Sequence, residues 1–306
     1  MNSLFITGAS GFIGRNLLSN INYNRYEHVY CLSRHHGNIH DFAMQKKNIK
    51  IIEGDLFNTS TYEEYLNKDT HVIHMAAITG KARPPDYFSV NTEGTRLLVE
   101  KCEQAAVKNF LFVSTIAVKY QDKQYYYYAQ SKELAEAAVT QSRLHFAIVR
   151  PTMVIGTGGA IWGHLAKMAR LPIIPIFGSG TTPIQPIYID DLVMAMLSIL
   201  DDGLFTNEIF ELGGSDTVTF ETFLRHIQRV VRPQGARFAH LPLRPLLGAL
   251  ARVEKYADAL LPVSAGQLSV FLNDGTIESN PVFRRLRPQM KTLPEMLQMV
   301  TDHDRL

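Results

Sequence analysis

Glycines at 8, 11 and 14, set between a short apolar run and a helical pattern, restrict the fold more than any other feature of this chain. Residues 4–6 read as a strand, and Leu17 and Leu18 open the apolar face of a helix behind the loop Thr7-Gly-Ala-Ser-Gly-Phe-Ile-Gly14. A strand, a tight loop and a helix in that order belong to a parallel sheet with crossover helices. The alternation continues through the first 150 residues. Strands are expected at 4–6, 29–32, 49–53, 71–74, 110–113 and 146–149, with the clearest helices at 92–106 and 128–142. The expected architecture is an α/β doubly wound parallel sheet over 1–150, followed by a smaller, mostly helical part over 151–306. From Pro151 the rhythm breaks. Gly and Pro cluster at 156–159, 172–175 and 178–186, which reads as long loops over a pocket. Short pieces follow at 187–189, 191–200, 209–212 and 220–231, and the segment 187–200 is expected to return to the sheet domain.

Glycines in such a loop permit a tight turn and bring main-chain N–H groups up to a pyrophosphate at the helix N-terminus. Gly8, Ser10, Gly11, Phe12, Ile13 and Gly14 are therefore candidate cofactor contacts in a Rossmann-type dinucleotide domain, although spacing alone also allows a glycine-rich turn that binds nothing. The end of the second strand speaks to the dinucleotide. An NAD site usually carries a carboxylate there for the ribose 2′-hydroxyl. This strand ends in Ser33-Arg34, a hydroxyl and a guanidinium suited to a 2′-phosphate. Arg15 approaches from the first helical turn, so NADP(H) is expected rather than NAD(H). Asp55, in Glu53-Gly-Asp-Leu56, is placed to accept from the adenine amine. His35, His36 and His40 lie close together, but no carboxylate or cysteine completes a ligand set, and no metal is expected.

Tyr128-Ala-Gln-Ser-Lys132 opens a helical pattern, which puts phenol and ammonium on one face. It follows the fifth strand, whose carboxyl end carries Ser114 and Thr115, where ligands of open α/β sheets sit. A phenol that works near neutral pH needs its pKa lowered by ~3 units, or ~4 kcal/mol. A nearby ammonium favours the phenolate. Thr115 would hold the substrate oxygen whose proton Tyr128 exchanges. Tyr125, Tyr126 and Tyr127 read as packing residues at the helix start.

These motifs, with Gly-Asp-Leu at 54–56, His-Met-Ala-Ala at 74–77, Val-Asn-Thr-Glu-Gly-Thr at 90–95, Val-Ser-Thr at 113–115, Arg-Pro-Thr-Met-Val-Ile-Gly at 150–156 and Ile-Tyr-Ile-Asp-Asp-Leu at 187–192, resemble the short-chain dehydrogenase/reductase superfamily in its NAD(P)-dependent epimerase/dehydratase branch, extended or atypical. The resemblance covers about 1–215. It implies that Asn91 steadies the active site, that Leu56, Ala76 and Ala77 line the cofactor, and that Lys132 also holds the nicotinamide ribose. It further implies that Pro151 and Thr152, beside Arg150, edge the nicotinamide pocket. Two departures stand out. Thr115 and Tyr128 are closer in sequence than in most extended members. Nucleotide-sugar epimerases commonly carry an arginine before the strand at 187–189, where this chain has Gln185.

The expected activity is therefore an NADP(H)-dependent oxidoreductase acting at a carbinol or ketone carbon. A nucleotide-sugar epimerase or dehydratase and a non-catalytic dinucleotide-binding sensor or subunit stabiliser are the alternatives. Lys81, Arg83 and Gln185 are the candidate polar substrate contacts, around an otherwise apolar small molecule. A net charge of +2 makes no case for nucleic acid. Two distant cysteines, Cys31 and Cys102, fit a reducing, cytoplasmic setting without a disulfide framework. No apolar run approaches the ~20 residues needed to span a bilayer. The segment 242–262 reads as a helical cap in preference to a membrane-surface helix. The helices at 92–106 and 128–142 are where relatives form four-helix dimers, so a homodimer is expected.

Overall fold

The computed structural model describes residues 2–34, 39–257 and 264–303. Its main sheet has seven strands: β1 (Ser3–Thr7), β2 (Val29–Ser33), β3 (Ile49–Glu53), β4 (Thr70–His74), β5 (Asn109–Val113), β6 (Phe146–Pro151) and β11 (Glu208–Leu212). Their spatial order is β11-β6-β5-β4-β1-β2-β3. β1 to β6 run parallel. Every residue of β1 is buried, as a strand covered by helices on both faces must be, and its sequence is accordingly a continuous run without polar alternation. The chain winds one way from β1 to β3 and the other way from β4 to β6. Ligands of such sheets sit outside the carboxyl ends of the strands at this reversal.

The chain divides into two compact units, residues 1–115, 130–150 and 193–210, and residues 116–129, 151–192 and 211–306. The first holds the sheet with α1 (Phe12–Asn20), α2 (His40–Gln45), α3 (Pro84–Tyr87), α4 (Gly94–Gln104) and most of α5 (Tyr127–Thr140) and α7 (Ile189–Asp201). Its core joins Phe5, Val72, Phe110, Phe112 and Ile148 of the strands to Leu98, Cys102, Ala135 and Val139 of α4 and α5. Compared with a boundary at 150, the segment 116–129 falls in the second unit, and the segment that returns to the first is 193–210.

The second unit is more regular than its glycines and prolines suggest. β7 (Val154–Ile155) pairs parallel with β10 (Ile187–Tyr188), and β8 (Ile173–Phe177) parallel with β13 (Arg237–Leu241). β9 (Pro183–Ile184) pairs antiparallel with β12 (Val218–Thr219). α6 (Ala160–Ala169), α8 (Phe220–Val231), α9 (Leu243–Ala257), α10 (Ala265–Ser269), α11 (Pro281–Leu286) and α12 (Leu293–His303) complete it. The loops expected over 156–186 thus give way to a helix and two strands, α6, β8 and β9. α6 buries Trp162, Leu165, Ala166 and Ala169, an i, i+3, i+4, i+7 stripe that was present in the sequence between its punctuating glycines. Pro175 sits inside β8 opposite Ala239, tolerated because β8 has a single neighbouring strand and needs donors on one side only. α9 buries Leu243 and Leu247 against Ala265 and Leu268. Residues 258–262 of the expected cap, and His35 and His36, lie outside the described residues. Among the described residues no helix is long and apolar enough to cross a membrane.

Candidate active site

The loop after β1 is shaped by what its glycines exclude. Gly8 has φ +74°, and a Cβ there would meet the Ala76 nitrogen at 2.6 Å. A Cβ on Gly14 would collide with the Gly8 carbonyl and lie 2.6 Å from Ala9 Cα, so this glycine seats α1 on the loop. Gly11 differs: it is exposed and caps α1 at an ordinary φ of −74°, with no side-chain hydrogen bond to the cap and no acidic residue in the first turn. A helix start whose orphan N–H groups lack a built-in acceptor suits an anion. The residues present therefore fit a dinucleotide pyrophosphate, which the main-chain N–H groups from Phe12 to Gly14 would hold, the Gly11 N–H being bonded to the Gly8 carbonyl at 3.0 Å. Beside it, Ser33 Oγ lies 3.4 Å from Ser10 Oγ. Half-buried Arg15 donates to the Ser10 carbonyl at 3.1 Å, and Arg34 is exposed just past β2. Asp55 accepts from the Phe57 and Asn58 amides at 2.8 and 3.0 Å. The Leu56 side chain is buried in the core beneath Gly94, while Ala76 and Ala77 are half-buried just beyond β4.

A buried chain of hydrogen bonds ties this loop to α4. Ala76 N–H donates to Thr7 Oγ1 at 3.2 Å, and Thr7 Oγ1 lies 2.6 Å from His74 Nδ1. His74 Nε2 lies 2.8 Å from Thr95 Oγ1, which donates to the Asn91 carbonyl at 2.6 Å. With the Thr95 proton committed to Asn91, Nε2 must carry the histidine proton and Nδ1 must accept from Thr7. His74 is thereby held neutral, and burial together with the Lys132 charge keeps its pKa well below the ordinary value.

Asn91 lies in a π-helical turn, Phe88–Glu93, that precedes α4; such turns gather at functional sites. Its Oδ1 accepts from Ile78 N at 2.7 Å, and its Nδ2 donates to the Ile78 carbonyl at 3.1 Å and to Ser131 Oγ at 3.0 Å. Thr92 Oγ1 donates to the Ser131 carbonyl at 2.9 Å. Two adjacent residues of the π turn thus fix the residue before Lys132.

Lys132 is 1% exposed. Its Nζ donates to the Val113 carbonyl at 2.8 Å and sits 3.9 Å from the centroid of the Phe112 ring. Burial pushes its pKa down from 10.5 to about 7, opposed by the Glu136 carboxylate. Tyr128 is half-buried one turn earlier on α5, with its ring 5.8 Å from that of Tyr126. Thr115 is half-buried just past β5, and the neighbouring Ser114 Oγ is buried without a hydrogen-bond partner.

The polar residues expected at the substrate are bonded within the protein. Arg83 forms a two-pronged pair with Asp86, both contacts at 2.9 Å. Gln185, 5% exposed, donates to the Gly214 carbonyl at 2.7 Å and accepts from Ile277 N at 3.2 Å. Both ends of that amide are spent on holding the second unit together. Thr152 is buried likewise, its hydroxyl donating to the Gln185 carbonyl and its amide to the Leu212 carbonyl. Pro151, at the end of β6, is buried and Lys81 is half-buried.

Residues 4–213 match the NAD dependent epimerase/dehydratase family. The chain belongs to that family. It is 28% identical over 253 residues to UDP-glucose 4-epimerase of Vibrio cholerae, covering 74% of each chain. It is also 28% identical over 195 residues to ceramide reductase of Caulobacter vibrioides, covering 63% of this chain and 59% of that protein. The structure of UDP-glucuronic acid 4-epimerase from Bacillus cereus in complex with NAD shares the fold, with a TM-score of 0.68 at 18% identity, covering 98% of this chain and 99% of that one.

Within this family frame, sequence reading passed over Thr7, His74, Thr95, Ser131 and Glu136. His74 had a signal, an imidazole at the carboxyl end of a strand, just after Val72 and Ile73. Glu136 also had one, a carboxylate one turn beyond Lys132 on an apolar helix face. What the arrangement can do chemically is hold an ammonium of lowered proton affinity one turn from a phenol on the same helix.

Proposed function

We propose that the chain is an NADP(H)-dependent oxidoreductase moving hydride at a carbinol or ketone carbon, with Tyr128 as acid/base. The observation that carries the cofactor choice is the end of β2, where Ser33 and Arg34 stand in place of a carboxylate and the Ser33 and Ser10 hydroxyls face one another. A 2′-phosphate would meet hydroxyls there and the cations Arg34 and Arg15. When bound, the nicotinamide supplies the hydride chemistry. Tyr128 gives or takes the proton of the substrate oxygen, Thr115 orients that oxygen, and Lys132 favours the phenolate and holds the ribose. The substrate is read as a largely apolar molecule with at most one anionic group. A diphosphate calls for convergent cations, whereas Arg83 is already paired with Asp86 and the Gln185 amide is internally bonded. Similarity to a ceramide reductase supports that reading. We also propose a homodimer through α4 and α5. The buried free thiols Cys31 and Cys102 fit a cytoplasmic setting.

Calorimetric titration tests the cofactor: NADPH should bind more tightly than NADH. Arg34→Asp should weaken NADPH by roughly 2–4 kcal/mol and leave NADH nearly unchanged. Equal affinities in the unmodified protein would refute the preference. Tyr128→Phe should lower turnover by roughly 100-fold or more at unchanged NADPH affinity. Retained turnover would move the acid/base role elsewhere. A nucleotide-sugar epimerase is the second reading, favoured by the similarity to UDP-glucose 4-epimerase over 74% of the chain. A thermal-shift panel with NADP⁺ present separates the two. Saturable stabilisation by lipid-like ketones or alcohols supports the first reading, and stabilisation by nucleotide sugars alone supports the second.

A further inference from the structure

We propose that Glu136, gripped by Arg150, is a positioning residue that sets the charge carried by Lys132. Among the described residues, the Lys132 ammonium on α5 meets the Val113 carbonyl as its hydrogen-bond acceptor and the face of Phe112. A carbonyl and a ring compensate an ion only in part for lost water. The groups around it divide sharply. From β5 come a neutral carbonyl and a ring. From β4 comes His74, stacked on Phe112 at 5.4 Å and 22°, neutral and locked in one tautomer by its two threonines. Tyr128 and Glu136 lie one turn before and one turn after on the same helix, and Arg150 reaches in from β6. Glu136 is therefore the nearby carboxylate that can stabilise the ammonium.

That carboxylate is not left to act alone. Glu136 is 6% exposed, and Arg150 holds it with two parallel contacts, Nε to Oε1 at 2.9 Å and Nη2 to Oε2 at 2.5 Å. A buried ion pair of this kind contributes little net stability. Placed one turn from Lys132, it delivers a fixed fraction of a negative charge: more than a neutral side chain, less than a free carboxylate. The two members of the pair therefore act on Lys132 with opposite sign. Deleting the Glu136 charge makes the lysine release its proton more readily. Deleting the Arg150 charge frees the carboxylate and makes the lysine hold its proton more firmly. A purely structural pair gives a different signature, because loosening the site from either side admits water and moves the lysine in one common direction.

The test needs no substrate and no cofactor, so its outcome is independent of the proposed activity. The full chain is labelled with ¹³C-lysine, the Lys132 Cε signal is assigned by its loss in Lys132→Met, and its titration is followed from pH 5 to 10. Glu136→Gln, nearly isosteric, should lower the midpoint by about one pH unit, tenfold in the acid constant. Arg150→Met should raise it by a similar amount, and Arg150→Lys should restore the unmodified value. Arg150→Gln keeps a hydrogen bond to Glu136 without the charge and carries the same expectation as Arg150→Met should that variant fail to fold. Shifts of the same sign in the glutamate and arginine variants, or no shift in Glu136→Gln, overturn the proposal.

Discussion

Lys132 holds a buried ammonium with a carbonyl and an aromatic face for company, and the cost of doing so depends on pH in a calculable way. Its folded pKa, about 7, lies below the ordinary 10.5. Between those values the unfolded chain binds more protons than the folded one, so stability climbs with pH across that window; below pH 7 both states are protonated and the burial cost is paid in full. Lys132→Met should therefore stabilise the protein at pH 6, by roughly 1–3 kcal/mol after the lost carbonyl contact is counted. The gain should shrink toward pH 10. Urea unfolding at pH 6, 8 and 10 checks it, and a pH-independent difference would contradict the buried-charge account. His74 and His71 add the acid limb. Both are held below 6.5 chiefly by burial, His71 at about 4, so stability should fall as pH drops from 6.5 toward 4, where the unfolded chain takes up protons first. Tyr128 and Lys132 could be found from sequence because their spacing is local. Glu136 is local in the same way, but the groups that reach Lys132 from other elements could not be found so. His74 and Arg150 reach it from β4 and β6, and only strand pairing brings those ends beside α5.

Elements whose signal is a local period were readable in advance, and those whose signal is a neighbour were not. The strands of the sheet domain emerge within a residue or two of expectation because each is built around a short run of β-branched, aromatic or aliphatic residues. The helix expected from 92 begins earlier, in a π turn at Phe88–Glu93. No periodicity announces such a turn, since it exists to aim Asn91 at Ile78 and Ser131. α6 was hidden by the glycines that flank it. The loop-to-α1 junction allows a sharper test of how an element is built. Gly14 admits no Cβ beside Gly8 and Ala9, whereas a Cβ on Gly11 would meet only the Gly8 carbonyl at 3.2 Å. Gly14→Ala should destabilise the fold by roughly 2–4 kcal/mol through overpacking. Gly11→Ala should cost less than ~1 kcal/mol of stability yet weaken dinucleotide binding at least tenfold, because its methyl sits at the uncapped helix start. Thermal unfolding and nucleotide titration of the two variants separate seating from binding. Equal losses of both properties in both variants would mean that the loop acts only as a structural turn.

For the molecule as a whole, the informative surface is the outer face of α4 and α5. Leu134 is 50% exposed on α5, and Ala137 and Ala138 beside it are half-buried. On α4 Leu97 is half-buried, and Arg96 bridges Glu93 at 2.6 Å and Glu100 at 3.4 Å. Small and apolar residues flanked by an internally paired charge ladder are what a helix-to-helix contact between copies requires: little to desolvate at the centre, and a rim that stays solvated. Leu134 is also an anomaly for a monomer, because it sits one turn from Ala138 on a helix whose other face is already satisfied by the core. The homodimer proposed above makes it the centre of the contact. Leu134→Arg should then convert the protein to a monomer, with its secondary structure intact, since the leucine is half exposed and lies outside the buried cluster of its own unit. Light scattering coupled to size exclusion reads the mass directly, at 34.5 kDa for the monomer and twice that for the pair. Because Tyr128 and Lys132 share α5 with Leu134, the monomer should also bind dinucleotide less tightly if pairing stiffens that helix, and equally tightly if it does not. A 34.5 kDa species for the unmodified chain at micromolar concentration would remove the dimer from the account and leave Leu134 as a solvated surface residue.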